Sequence, residues 1–534
     1  MKLKYLNIVL CWFFLINAHE CPKLSVIIVI DQFAYDELQK LLPFLQGGIK
    51  YLHDHGTRYV NAFYPHGGTV TAAGHAALST GALPRDHGFI DNTWYTPEGQ
   101  KVNCDDDSAQ RAAVFAPDGL YDFGKSAQHL MVDTLSDQLV LASSPHAQFT
   151  VYSLSLKSRS AIAMAGRLGK AIWFDNKTGF FTSSKAYFKE LPNWLKQFNK
   201  KEHILKTDTW QLTYDKKSPA YNFPYINDYR FAEGHASIIN VPFTIDTTIK
   251  TPYEFFEKTP QANQLLLNCA TTIIDTTLTQ NPHDHVVLWL SLSSLDKVGH
   301  QFGPHSLEVI DMIYHMDQQL GKFIQNIYKK VAPKDVLFAL TADHGVHPIP
   351  EILQEQGIDF VRRIDRKTLT SALEQALTPE YDIQHTIKIN DPFVYINQPF
   401  LDKQIKKELL YDIKNLLKDY NGIKDAWTSH ELKKRTFAES DPRNFLKNQL
   451  YRHRSSKVII QLQPYTCISK RKFGTGHSVP YNYDTHVPLI VYHPGSTNKT
   501  ITERVYIQQL APTLAYIFNV PAPSATTFNL LPGI

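Results

Sequence analysis

Three aspartates, three histidines and a threonine carry the chemistry available to this 534-residue sequence. Asp296-Lys-Val-Gly-His300 sets a carboxylate and an imidazole four residues apart, so that on a helix or tight turn both point the same way. Asp343-His344, within Thr-Ala-Asp-His-Gly, joins the same two ligand types side by side, and His486 stands in Tyr483-Asp-Thr-His-Val-Pro488. With Asp31 these form an oxygen-and-imidazole set without cysteine. Such a set suits zinc at hydrolytic sites, and six ligands suffice for two ions. Two ions roughly 4 Å apart can activate an attacking oxygen and stabilise a leaving one during in-line phosphoryl displacement.

A nucleophile for that chemistry lies in Gly67 to Asn92, GGTVTAAGHAALSTGALPRDHGFIDN. The stretch follows a β-type run (Tyr59, Val60, Ala62, Phe63, Tyr64) and predicts an Ala-rich helix over about 71–80. A hydroxyl on the first helical turn meets unpaired N–H groups and the positive end of the dipole, which favour a phosphate. The residues alone leave Thr69, Thr71, Ser79 and Thr80 open. No one of these groups means much by itself. The chain has 23 histidines, of which His66, His87, His305 and His315 read as surface or core residues, and an isolated Asp after a strand is an ordinary turn former or N-cap.

The elements that must position this chemistry recur in order. Leu24-Ser-Val-Ile-Ile-Val-Ile30 is a continuous apolar, β-branched run, the mark of a central strand covered on both faces and hence of a parallel sheet between helices. It ends in Asp31, at the carboxyl end where open α/β sheets hold their ligands. Phe149–Ser153 leads into Lys157-Ser-Arg159, His285–Leu290 into Asp296, and Val336–Leu340 into Asp343-His344, while Val487–Tyr492 follows His486. Two stretches interrupt this order. Residues 172–255 are aromatic- and Asn-rich with little periodicity, as in a surface subdomain or lid. Residues 350–470 contain Ile405, Leu409, Ile413, Leu416 and Leu417 at helical spacing before Asn421-Gly422, and read as a cap.

The first twenty residues, with Lys2 and Lys4, an apolar run from Tyr5 to Ile16 and Ala18, read as a secretory signal peptide too short to span a bilayer. The product is expected to be exported, periplasmic or extracellular, with no stable membrane span and with residues 21–534 as one catalytic domain carrying the two insertions. The formal charge of +4 lacks a basic block, which argues against nucleic acid as a partner. Cys21, Cys104, Cys269 and Cys467 are too widely spaced for a zinc knuckle and are expected to form disulfides. Oligomeric state is not legible.

In order, the strand ending in Asp31, Thr71-Ala-Ala-Gly-His75, His87-Gly-Phe-Ile-Asp-Asn92, Lys157-Ser-Arg159, Asp296-Lys-Val-Gly-His300, Asp343-His344-Gly345 and Asp484-Thr-His486-Val-Pro488 resemble the alkaline phosphatase superfamily. The likeness is to its threonine-nucleophile, PafA-like phosphomonoesterases and runs from about Ser25 to Pro521. It implies an α/β fold with a central, mostly parallel β-sheet sandwiched by helices. It implies two Zn2+ ions, one held by Asp296, His300 and His486 and the other by Asp31, Asp343 and His344, the second contacting Thr71. Thr71 would attack to give a phosphothreonine, with Asn92, Lys157 and Arg159 on the non-bridging oxygens. Related nucleotide pyrophosphatases and phosphodiesterases generally lack the Lys-x-Arg pair. A monoester brings about two negative charges and a diester about one, so the pair favours small-molecule phosphate monoesters. A phosphodiesterase is the alternative, and a metal-stabilised binding protein without turnover a distant one. Sulfatases are excluded by the missing C/S-x-P-x-R, and no third, magnesium site is expected.

Overall fold

Every residue of Leu24–Ile30 is buried, and this strand, β1, is hydrogen-bonded in parallel on both edges, as its uninterrupted apolar run predicts. Fully burying each such side chain contributes about 1.5–3 kcal/mol. The chain is described by a computed structural model over residues 21–144, 148–202, 204, 207–383, 386–397, 403–493 and 498–534. The expected signal peptide therefore lies outside the described residues.

The remaining strands of the main sheet are β2 (Thr57–Tyr59), β3 (Phe149–Ser155), β4 (Lys170–Asp175), β5 (Phe180–Thr182), β6 (His285–Leu292), β7 (Val336–Thr341), β8 (Leu489–Tyr492) and β9 (Thr500–Ile501). Their order is β5-β4-β3-β6-β1-β7-β8-β2-β9. The five from β4 to β7 are mutually parallel. β5 and β8 run antiparallel to their neighbours. Parallel pairing brings the carboxyl ends of β1, β3, β6 and β7 to one edge, with Ile30 beside Leu292, Val29 beside Thr341 and Ser291 beside Ser155. The polar residues that follow these strands converge there for that reason.

Three helices begin at this edge. α1 (Thr71–Thr80) has the bounds that the sequence predicts and is buried throughout. α2 (Ser158–Ala165) follows Lys157, and α3 (Ser294–Phe302) follows β6. α1 approaches the end of β7 so closely that any side chain on Gly74 would overlap the Asp343 carbonyl. Only glycine admits that distance.

The two expected insertions differ in kind. Residues 170–182 are strands of the main sheet itself, and Trp210, Tyr221 and Phe243 pack into its main core. This segment thus wraps the sheet rather than building a core of its own. Residues from about 364 to 468 do have one: α4 (Arg366–Tyr381) and α5 (Lys403–Lys418) lie against a four-stranded antiparallel sheet ordered 387–390, 393–396, 458–462, 423–428. Leu409, Ile413 and Leu417 line its core, whereas Ile405 is exposed.

The expected disulfides are absent among the described residues, where all four cysteines are free thiols. Cys269 is buried mid-helix in the main core and Cys104 in a separate hydrophobic cluster. Cys467 lies beside Arg363 and Cys21 at the start of the first strand, so the fold keeps them apart. Burial pushes the Cys21 and Cys467 thiols up to about 12. No described helix is long and apolar enough to cross a membrane.

Candidate active site

Thr71 is the first residue of α1 and is 1% exposed, with Lys157 Nζ 3.4 Å from its Oγ1. The other hydroxyls of this segment are engaged in holding the fold. Thr69 Oγ1 donates to Asp484 Oδ2 at 3.1 Å and accepts from Ser478 N, while Ser79 donates to the Ala163 carbonyl and Thr80 to that of Ala76. Geometry therefore singles out Thr71 among the four.

The acidic and imidazole side chains form two adjoining groups capable of holding a metal ion: Asp296 with His300 and His477, and Asp31 with Asp296 and His344. On α3 the four-residue spacing brings His300 Nε2 to 3.3 Å from Asp296 Oδ1. Asp343 Oδ2 lies 3.5 Å from His344 Nε2 and 3.2 Å from His75 Nδ1, and His344 Nε2 lies 3.6 Å from Asp31 Oδ1. Both Asp31 oxygens, Asp343 Oδ2 and His344 Nε2 are buried without a hydrogen-bond partner among the described residues. Lys157 Nζ does sit 2.6 Å from Asp31 Oδ2, but this contact is an ion pair without hydrogen-bond alignment. Buried lone pairs with no donors are rare in folded proteins, and converging on one point they fit a cation.

The histidines make the same case. His300 Nδ1 faces the Thr475 carbonyl at 2.9 Å, His344 Nδ1 that of Gly345 at 2.9 Å and His477 Nδ1 that of Thr69 at 2.6 Å. A proton on each Nδ1 satisfies its carbonyl and turns a bare Nε2 inward, the usual way a ligating imidazole is oriented. Burial depresses His344 and His477 to about 4, so both rings are neutral and able to ligate at ordinary pH.

His486 is not among them. Its Nε2 is 2.9 Å from the Val60 carbonyl, and its ring is stacked between Tyr35 and Phe63 with centroids 4.2 and 4.4 Å away. The third histidine is His477, whose Nε2 lies 3.2 Å from that of His300 and whose ring stacks on His344 at 3.8 Å. The reason is local. His486 directly precedes the short lead into β8 and is drawn into the packing beneath the sheet edge, whereas His477 is carried on the loop Gly474-Thr-Gly-His477. Gly474 there has φ +75°, and its backbone passes against the His300 carbonyl. The two glycines before His477 were the available signal, and with no periodicity around them they are a faint one.

Gln32 is a second residue that the sequence reading passes over. Its Nε2 donates to Asp296 Oδ1 at 2.9 Å and its backbone N–H to Asp343 Oδ1 at 3.1 Å, so it ties the two groups together. It does so from a left-handed backbone (φ +70°), and only Gly299 leaves room for its side chain.

Of the three residues expected on the phosphoryl oxygens, Lys157 is central. Its ammonium lies 2.5 Å from Asp296 Oδ2 as well as against Asp31. Burial would depress it, but the carboxylates of Asp296 and Asp31 outweigh burial and hold it above the ordinary lysine range. Asp31 is pushed up to about 6 by burial and by Asp343, while Asp296, opposed by burial, is held well below the carboxylate range by Lys157 and His300. Asn92 Oδ1 accepts from Ala72 N at 2.9 Å, which fixes the amide on the first turn of α1, and Asn92 lines the cleft in front of the site. Arg159 is on the first turn of α2, half-buried, with its Nε unpartnered among the described residues. The assembly offers a hydroxyl at a helix start, facing buried carboxylates, neutral imidazoles and a cluster of donors, an arrangement suited to phosphoryl transfer.

A family model described as type I phosphodiesterase / nucleotide pyrophosphatase matches residues 25–479. Alkaline phosphatase PhoV of Synechococcus elongatus is 29% identical over 524 residues, 95% of this chain and 91% of that protein. Alkaline phosphatase PafA of Elizabethkingia meningoseptica is 29% identical over 531 residues, 95% of this chain and 93% of that protein. The crystal structure of wild-type PafA superposes with a TM-score of 0.83 at 25% identity, covering 96% of this chain and 99% of that one.

Proposed function

The chain belongs to the type I phosphodiesterase / nucleotide pyrophosphatase family, in the alkaline phosphatase superfamily, and is a phosphoric ester hydrolase; from that premise we propose that it is an exported, two-zinc phosphomonoesterase using Thr71 as nucleophile. The observation that carries the monoester reading is the position of Lys157, which reaches the Thr71 hydroxyl and the Asp31 and Asp296 carboxylates at once. A cation beside the nucleophile matches the extra charge that a monoester brings and a diester lacks.

The residues that would hold the ions are Asp296, His300 and His477 on one side and Asp31, Asp343 and His344 on the other. Bound there, zinc lowers the pKa of an oxygen nucleophile and screens charge on the leaving oxygen. The protein's own groups then act as follows. α1 presents Thr71 with the helix N-terminus behind it, and the Thr71 oxygen attacks phosphorus in line with the ester bond, its proton passing to solvent while the leaving oxygen takes one up as the ester bond breaks. Asn92, Lys157 and Arg159 hold the non-bridging oxygens, which carry the charge throughout transfer. The alcohol departs, leaving phosphothreonine. Water entering from the cleft attacks phosphorus, the bond to the Thr71 oxygen breaks, inorganic phosphate leaves and the hydroxyl is restored.

The test is hydrolysis of a phosphate monoester and a diester of the same alcohol, before and after chelation and with zinc restored. Loss of turnover on chelation and a strong monoester preference are expected. Diester preference would favour the nucleotide-phosphodiesterase side of the family, and a folded, zinc-loaded protein without turnover would sink the enzymatic reading.

Two variants sharpen this. Replacing both Lys157 and Arg159 by Ala should lower monoester kcat/KM by about 10²–10³-fold, the usual cost of losing preorganised donors, and diester kcat/KM far less; equal losses would undo the charge argument. Gln32→Leu removes the amide that aligns Asp296, and should weaken zinc binding by about 10–100-fold, as for other partners of metal ligands. Competition with a chromogenic chelator measures this, and unchanged affinity would leave Gln32 with a role in folding only.

A further inference from the structure

The cleft in front of the site, about 380 Å³, has Asn92, His300 and His477 at one end and Arg366, Lys470 and Arg471 among its other walls. A phosphoryl group held against Thr71 and Asn92 must extend its alcohol into this cleft, because Thr71 is otherwise enclosed. The alcohol therefore meets residues of the cap, and their charge bears on which alcohols fit.

Charges on the cleft can be counted side by side. Arg366 is the first residue of α4, a 16-residue helix, so its cation and the helix N-terminus add, and its Nε is buried without a hydrogen-bond partner among the described residues. Lys470 and Arg471 follow the strand 467–469, are exposed, and make no ion pair among the described residues. Against these stand two carboxyl groups, Asp91 and Asp391. The Asp91 oxygens are turned onto other donors, Oδ1 accepting from the Asn92 N–H at 2.6 Å and Oδ2 from Asn390 Nδ2 at 2.9 Å. Arg366 lies near enough to both acids to oppose the effect of burial on each. Burial pushes both acids up to about 7, which weakens their share of the negative charge at neutral pH. Arg366 is therefore only partly offset by these acids, and Lys470 and Arg471 are left over among the described residues.

We propose that Lys470 and Arg471, backed by Arg366, bind a second anionic group on the substrate, so that the preferred monoesters are those whose alcohol carries a carboxylate or a further phosphate. This rests on the monoesterase reading above. Two exposed cations lining the cleft, without an ion pair among the described residues, give charge-assisted contacts to such a group, and being exposed they do so in a salt-dependent way.

Two substrate pairs test it: phosphoglycerate against glycerol phosphate, and a hexose bisphosphate against the hexose monophosphate. For the wild-type protein kcat/KM should favour the anionic member by about tenfold at low salt, the scale of one charge-assisted contact, and less at high salt. In Lys470→Ala/Arg471→Ala the ratio should fall to about one, and Arg471→Glu should drive it below one. A preference in only one pair identifies carboxylate or phosphate as the group bound. A wild-type ratio of one in both pairs, or a ratio unmoved in both variants, overturns the proposal while glycerol phosphate is still hydrolysed. Failure to hydrolyse glycerol phosphate at all removes the monoesterase reading, and the subsite with it.

Discussion

Thr71→Ala is expected to abolish the covalent phosphoenzyme and to reduce turnover by at least about a thousandfold, the scale seen when a nucleophile is removed from an otherwise intact site. Thr71 is the one hydroxyl of its segment that the fold leaves uncommitted, standing at the start of α1 with Lys157 beside it. The variant removes an oxygen and a methyl group from a helix N1 position that makes no side-chain cap, so folding should be little affected. Zinc content, measured by metal analysis, should stay near wild type because the carboxylates and imidazoles are untouched. Labelling with a phosphorylated substrate under acid quench reads the intermediate directly, and Thr71→Ser should restore labelling. If Thr71→Ala turns over at the wild-type rate, the nucleophile lies elsewhere.

The second large effect separates two histidines. His477→Ala should lose bound zinc and turnover together, with affinity for one ion down by at least about 10–100-fold, because its Nε2 is one of the groups converging with His300 and Asp296. His486→Phe should keep both. Phenylalanine preserves the stack between Tyr35 and Phe63 and gives up only the contact to the Val60 carbonyl, a stability cost of about 1 kcal/mol. Zinc stoichiometry after dialysis, with a thermal melt as control, distinguishes the variants. Zinc retained in His477→Ala and lost in His486→Phe would return the ligand role to His486.

How far the sequence speaks differs from element to element, for a physical reason. A chemistry that depends on neighbours along the chain is legible. The run 24–30, apolar apart from Ser25, dictates a strand buried on both faces. The Ala-rich stretch with Gly81 behind it dictates α1. Asp296 and His300 meet because one helical turn separates them, and Asp343-His344 because a strand ends there. A contact between distant loops leaves no such trace. Asp484-Thr-His486 sits before a strand, where the other motifs follow one, and its imidazole is drawn into an aromatic stack, while His477 reaches the site on a loop without periodicity.

Other outcomes also needed the folded chain. The Thr69 hydroxyl is engaged by an acid 415 positions away, Asp484. Gln32 acts through Asp296, 264 residues on. The four described cysteines stay free because packing, not spacing, decides which thiols meet. The sequence by itself determined a parallel α/β sheet with carboxylates, imidazoles and a helix-start threonine at its strand ends. Tertiary structure alone decided which histidine, which hydroxyl and which cap residues face that edge, because side-chain convergence is set by long-range packing, whereas hydrophobic periodicity records only which face of an element is buried.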